Sequence, residues 1–310
     1  MKPQASQEVS PHSSATPEGA SSNDPTENLA THLEHPNSAK EKNIPFDRKK
    51  LKAIIAGLED DILTGRWFTA DYARTDLQLM PALVEQANSK YPEMHLQLVT
   101  SSHHFALALK DTLENGIQSS RFIIYTKDRG IHFSVIDHQT IDDKTSVVFF
   151  EPTTLNNMKP AMLALRTQLA IKAHELSNCS FAIAEMDIQR SSSECGMFSL
   201  ALAKKLYLES QKLERLHKDN VQGVLCEPDT PLSPEKLDSY LPVSLYKHAQ
   251  GRRRLEHYLK TNPEAAHEKV NKKGETVTER FEKNLKEEGG KTVSVSQHRK
   301  RATEYKALTM

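Results

Sequence analysis

The sequence is poor in the residues that announce most specialised chemistries. It has three cysteines, Cys179, Cys195 and Cys226, in 310 residues. None stands at CxxC or Cys/His ligand spacing, which removes zinc-finger and dithiol redox readings. A sparse, odd count fits a reducing compartment rather than a disulfide scaffold. No charge of either sign is in excess, since Lys+Arg and Asp+Glu number 41 each. That balance argues against a general nucleic-acid binder, although it hides local patches. Long apolar runs are missing as well. Nothing approaches membrane-spanning length, and no basic-then-apolar secretory signal opens the chain, so any export uses a route that such rules do not detect. The shortage of apolar residues is concentrated at the start. Residues 1–45 are rich in Ser, Pro, Thr, Asn, Glu and His, a composition that cannot offset ordering entropy and predicts disorder.

Order begins at Asp47, a good N-cap, with Leu51, Ile54, Ile55, Leu58 and Ile62 at helical spacing and Gly65 as the stop. Trp67, Phe68 and Tyr72 follow as core packing. A second helix is predicted over 76–90 with Pro81 near its first turn, then a strand over 95–100 and a helix capped by Ser101 and closed by Gly116. His103 and His104 in its first turn read as a solvated pair, because no third metal ligand is in view. The densest β signal comes next, over 121–126, 131–138 and 146–151, with turns at 127–130 and 140–144. A helix over 159–176, a strand over 181–186 and a helix over 195–217 complete the core. The pattern predicts an α/β or α+β layer fold with helices packed on the sheet, and α+β is preferred, with a central mixed, largely antiparallel sheet. A Pro-marked linker after Cys226 separates a mixed helix-and-strand region, 46–225, from a helical and basic region, 226–310.

The stretch MDIQRSSSECGMFSLALAKKLYL, 186–208, turns from loop to amphipathic helix at Cys195. Free N–H groups and the positive dipole end at a helix start favour an anion, and the thiolate is the nucleophilic form of cysteine. Ser193 is the expected N-cap, and Gly196 admits close approach of another chain. Cysteine catalysis needs a base and a group that orients it. His132, at the start of a strand, is the first candidate base. With the following turn centred on Ile141–Asp142, Glu151 falls directly opposite it, within about 5 Å at Cβ. Asp137 is the rival acid, but an odd separation points it to the other face. Gln189, on the entering loop, can donate to a developing oxyanion.

These blocks, GIHFSVID (130–137), FFEP (149–152) and MDIQRSSSECGMFSLALAKK (186–205), resemble the catalytic blocks of the YopJ family of bacterial effectors. The resemblance extends to GRWF (65–68), MPALVEQANSKYPEM (80–94), SSRFII (119–124), YLPVSLYKHAQG (240–251), NKKGET (271–276) and RATEYK (301–306). It implies an Ulp-type cysteine-protease fold with a His132/Glu151/Cys195 triad and Gln189 near the oxyanion. It implies acetyl transfer from acetyl-CoA to Ser, Thr or Lys of host proteins, notably MAP-kinase kinases. Type III secretion into host cells and activation by inositol hexakisphosphate belong to the same expectation. A protease or deubiquitinase-like hydrolase on the same triad is the alternative that the residues leave open. Lys204 and Lys205, on the helix led by Cys195, are candidates for CoA phosphates. The C-terminal third gathers Lys247, Arg252, Arg253, Arg254, Lys272, Lys273, His298, Arg299, Lys300 and Arg301, which repel one another unless solvent or an anion screens them. Carried over from the family, Lys272, Lys273, His298 and Arg301 are the candidate polyphosphate ligands.

Overall fold

In the computed structural model the β-rich stretch becomes the centre of a five-stranded sheet. The structure describes residues 46–310 apart from 129, 177, 228 and 289, so the expectation for residues 1–45 lies outside the described residues. Across the sheet the order is β1 (Leu96–Val99), β2 (Ser119–Thr126), β3 (His132–Ile141), β4 (Lys144–Glu151) and β5 (Cys179–Glu185). The β2–β3–β4 meander is antiparallel, and β1 and β5 join its two edges in parallel. The sheet is therefore mixed, with its antiparallel pairing confined to the meander.

The register of β3 against β4 decides which side chains meet. Its turn is Asp142–Asp143, both at positive φ, 48° and 62°, as a two-residue type I′ hairpin requires. Ile141 faces Lys144 and Val135 faces Phe150. The turn thus sits one residue later than the sequence suggested, and cross-strand partners are displaced by two. Continuing the ladder sets Ser134, not His132, level with Glu151. An even displacement leaves every side chain on its face, so Glu151 still lies beside His132, now diagonally.

Helices cover both faces. On one, Phe133, Val135, Val148 and Phe150 pack with Phe198 and Leu202 of α5 (Cys195–Leu208) and with Leu79 and Leu83 of α2 (Ala73–Lys90). On the other, Phe122, Ile136 and Phe149 meet Phe105 and Leu109 of α3 (Ser102–Glu114) and Leu163 of α4 (Met158–Ala173). The first helix, α1 (Arg48–Thr64), has the expected caps. Asp47 accepts from the Lys50 N–H, and Gly65 is left-handed at φ 78°. Several boundaries differ from the prediction, two of them in helices that flank the site. Pro81 lies inside α2, because that helix starts at Ala73. The helix expected over 195–217 ends at Leu208, and a 3-10 turn leads into α6 (Glu214–Val221).

The region after Cys226 contains α7 (Pro234–Asp238), α8 (Arg252–Thr261), α9 (Val277–Lys283) and α10 (Ser296–Leu308). Between the last two lies a hairpin of β6 (Leu285–Glu288) and β7 (Lys291–Ser294) that helical reasoning missed. Strands of four residues, one of them LKEE, carry too little apolar alternation to read. α10 packs on α1, α2 and α5, so residues 46–310 fall in one compact unit.

Asp137 is spent inside this fold. It accepts from Arg121 Nε at 2.7 Å and meets His217 Nε2 at 3.0 Å, while His217 Nδ1 lies 2.8 Å from Ser146 Oγ. All four residues are buried. Burial alone would raise the Asp137 carboxyl; Arg121 and His217 outweigh it and hold it below the usual range. A depressed carboxylate contributes stability above its unfolded pKa of about 3.9 and loses it as pH falls through the folded value. Asp137→Asn should therefore cost about 3 kcal/mol at pH 7, because it strands a buried guanidinium. Urea unfolding should show that difference shrinking as the pH is taken below 4.

Candidate active site

β3 begins where β4 ends, and the parallel pairing of β4 with β5 brings the loop after Glu185 to the same end of the sheet. His132 opens β3, Glu151 closes β4, and Cys195 opens α5. His132 Nε2 lies 2.9 Å from Glu151 Oε2. The Cys195 sulfur acts on the same imidazole and favours its charged form. Ser134 Oγ donates to Glu151 Oε2 at 2.7 Å, and Thr153 donates to Oε1 through its N–H at 2.8 Å and its hydroxyl at 2.7 Å. The carboxylate is thereby fixed on both oxygens and kept as an acceptor.

Burial would lower the pKa of the His132 imidazole. The Glu151 carboxylate and the Cys195 thiol outweigh it and raise it from 6.5 to about 10. Cys195 itself is 2% exposed, Gln189 5% and Glu151 0%, so the nucleophile lies under a closed loop.

That loop, 186–194, follows the sheet end and is pinned on both sides. Met186 N–H donates to Glu151 O, and Ile188 and Gln189 N–H both donate to Pro152 O. Asp187 adopts φ 51°, turning the chain away from β5. Gln189 Nε2 donates to Ser191 O at 2.6 Å, while its Oε1 is buried with no hydrogen-bond partner. Ser193 is not the N-cap of α5. Its hydroxyl donates to Ala70 O, and Glu194 takes the cap position without a side-chain capping bond. Gly196 does permit close packing, since a Cβ there would stand 3.2 Å from both Asp76 Cβ and Phe133 Cε2.

The chain matches the family model described as YopJ serine/threonine acetyltransferase over residues 51–307. The chain belongs to the YopJ family. It is 54% identical over 271 residues to the serine/threonine-protein acetyltransferase YopJ of Yersinia pestis, covering 87% of this chain and 94% of that one. The Yersinia pseudotuberculosis protein is 53% identical over the same length. Among solved structures, AvrA with IP6 and CoA aligns with TM-score 0.82 and 47% identity over 86% of this chain and 99% of that one. HopZ1a in complex with IP6 and CoA shares the fold at TM-score 0.63 and 17% identity, covering 84% and 98%.

Within this YopJ-family chain the expected ligand residues do not form one surface. His298 is fully buried, with Nε2 on Leu58 O at 3.0 Å. Burial, then Arg301, lowers its pKa to about 4, so it is a neutral core histidine. Arg301 is fully buried too, paired with Asp76 at 2.9 and 3.0 Å and donating to Ser193 O at 2.7 Å. Both face inward because α10 docks among helices, where a basic side chain serves an internal carboxylate. Lys272 and Lys273 stay exposed on the turn before α9. Lys204 is committed to Glu304 at 2.8 Å, and Lys205 lies 3.5 Å from Glu209. By helix rise, these lysines stand about 14 Å along α5 from the thiol.

A different cationic group is present. Lys247 is half-buried and, among the described residues, forms no ion pair. Burial, then Lys205, Arg280 and Lys300, lower its pKa from 10.5 to about 8. Arg299 adds repulsion on Arg280. Sequence reasoning named Lys247 only as one basic residue among ten. It missed Ser134 and Thr153, although Ser134 stands two residues from His132 on the same face.

A raised imidazole pKa stabilises the fold fully below its unfolded value of about 6.5, and that contribution fades as pH rises through about 10. Glu151→Gln removes the largest charge that raises it. In an NMR titration the His132 midpoint should fall toward neutrality in the variant and stay well above 6.5 in the wild type. An unchanged midpoint would mean that Glu151 does not set the charge of the base.

Proposed function

We propose that the chain transfers an acetyl group from acetyl-CoA to Ser, Thr or Lys side chains of host signalling kinases, MAP-kinase kinases foremost, through a Cys195 acyl-enzyme. The observation that carries this reading is the single imidazole that meets both the Glu151 carboxylate and the Cys195 thiol. Family membership supports acetyl transfer over hydrolysis and supports type III delivery into host cytoplasm.

In this mechanism His132 holds the thiol proton, and the Cys195 sulfur attacks the thioester carbonyl carbon. Nε2 is occupied by Glu151, so Nδ1 is the nitrogen left to exchange protons with the reactants. The tetrahedral oxyanion is held by Gln189 and by unspent N–H groups at the first turn of α5. Collapse breaks the bond to the CoA sulfur, which leaves with the proton from His132. The acceptor hydroxyl or amine then gives its proton to His132 and attacks the acyl carbon. Collapse releases the acetylated acceptor and restores the thiolate.

Inositol hexakisphosphate is the activator in this reading, and residues 226–310 are the regulatory region. The Lys205, Lys247, Arg280, Arg299 and Lys300 group fits a dense polyanion better than the buried His298 and Arg301. Lys247 and Arg280 within it are partly desolvated and repelled by neighbouring cations, and each phosphate can take charge-assisted bonds from several cations.

Cys195→Ala, His132→Ala and Glu151→Ala should each abolish transfer, with losses that do not add. Brief incubation with acetyl-CoA and no acceptor should add one acetyl mass to the wild type, removable by hydroxylamine and absent from Cys195→Ala. A ternary mechanism would yield no adduct, and peptide cleavage without acetyl addition would sink the transfer reading. Separately, Lys247→Ala/Lys300→Ala should weaken inositol hexakisphosphate binding by about tenfold or more. Added salt should weaken it further. Calorimetric titration giving equal affinities would remove this group from the site.

A further inference from the structure

Gln250 is a fully buried polar residue just before α8, far in sequence from the nucleophile. Its Oε1 accepts from the Arg190 N–H at 2.6 Å, the Ser191 N–H at 3.0 Å and the Ser191 hydroxyl at 3.2 Å. Its Nε2 donates to Glu194 Oε2. The Gln250 backbone N–H donates to Ile188 O at 2.9 Å, and its carbonyl accepts from the Ser294 N–H at 3.3 Å. One residue thus closes the loop that carries Gln189, its backbone holding Ile188 and its side chain the stretch from Arg190 to Glu194 beside Cys195. Glycine at 251 is part of the same fit, since a Cβ there would stand 3.1 Å from Arg190 Nε.

The other end of this short segment is the cationic group. Lys247 lies three residues before Gln250, and its carbonyl accepts from Arg280 Nε at 3.2 Å. Arg280 Nη2 also donates to Ser296 Oγ, which lies 2.8 Å from His248 Nδ1. His248 and Ser296 are buried. The chain from Lys247 to Gln250 is therefore held at one end by the group that repels itself and at the other by the nucleophile's loop. An anion that draws Lys247 and Arg280 together acts on a segment with little freedom to absorb the change.

We propose that Gln250 is a positioning residue that sets the Cys195 loop and transmits to it the occupancy of the Lys247 cluster. The inference rests on the acetyl-transfer reading and on polyanion binding at that cluster. It differs from both in assigning the link to one amide side chain. Gln250 touches no reacting atom and acts through Arg190, Ser191 and Glu194. Its amide matters in both halves. The oxygen gathers backbone donors, and the nitrogen donates to a buried carboxylate whose other hydrogen-bond donor is Ser191 and whose charge partner is Arg301, 3.7 Å away.

The test compares the wild type, Gln250→Glu, and Gln250→Glu/Glu194→Gln, each checked by thermal melting. Gln250→Glu sets two carboxylates against each other, and the double variant restores a donor facing an acceptor. Single-turnover acetylation of Cys195 is followed by intact mass with and without inositol hexakisphosphate, whose affinity is measured by calorimetry. Gln250→Glu should acetylate about tenfold more slowly at saturating activator, the loss expected for one buried bond to a charged group. Its affinity for the activator should stay within about twofold, a range set by bonds it does not touch. The double variant should recover most of the rate, which general damage to the loop would not allow. Equal rates in the wild type and Gln250→Glu, a double variant no faster than the single one, or a rate loss explained by lost affinity would overturn the proposal. Gln250→Met, which removes the side-chain bonds at similar volume, replaces Gln250→Glu if that variant does not fold; there, wild-type rate overturns and a slow rate with retained affinity supports. If the wild type takes no acetyl group, the acetyl-transfer reading falls. Alkylation of Cys195 by iodoacetamide then provides the readout: the same rate and response to the polyphosphate in all variants overturns the positioning role, and a response lost in Gln250→Glu supports it.

Discussion

The buried pair between Arg301 and Asp76 ties the last helix to the second one beside the nucleophile. Arg301 belongs to the last helix and Asp76 to the second, and both are inaccessible to solvent. The guanidinium also donates to Ser193 O, two residues before Cys195, and Tyr305 Oη donates to the same Asp76 at 2.5 Å. Removing either charge would strand the other in a medium that does not solvate it, which is why such pairs are costly to break even when they add little net stability. Gly196 is small for the same reason, since the start of α5 must lie against Asp76. The terminal helices are thus part of the wall behind the thiol.

On the opposite side of the thiol the constraint is the sheet. A strand start, a strand end and a helix start converge because β3 and β4 are antiparallel and β4 and β5 are parallel. Backbone groups at those ends have left the ladder and are free to hold side chains. Thr153 does so with its own N–H, one residue past the proline that ends β4. The Glu151 carboxylate is saturated with donors, and that is what lets a buried imidazole carry charge beside a thiol.

Charge is balanced over the whole chain and segregated within it. Arg121, Arg254 and Arg301 are buried against Asp137, Asp238 and Asp76. Near the surface Lys205, Arg280 and Lys300 each have a carboxylate within 4 Å, while Lys247 beside them forms no ion pair among the described residues and has its pKa lowered by burial and then by their charge. Arginine takes the internal roles because its planar fork matches a carboxylate and resists deprotonation. The lysine and arginine group outside keeps the capacity to bind an anion.

Local pattern determined much of this protein from sequence alone. Period-two alternation gave the meander, and face parity selected Glu151 over Asp137 even with the register two residues off, because parity survives an even shift. The caps at Asp47, Gly65 and Ser101 and the helix start at Cys195 follow from side-chain chemistry within a few residues. Tertiary structure decided what depends on distant partners. Whether a basic residue of α10 faces water or Asp76 is set by helix packing, so His298 and Arg301 read as ligands and proved to be core. Gln250 carries no local signal at all, since its donors and acceptors lie some sixty residues away. A hydrogen-bond partner is a property of position in space, and the periodicity of a helix or strand fixes a direction without naming what waits there.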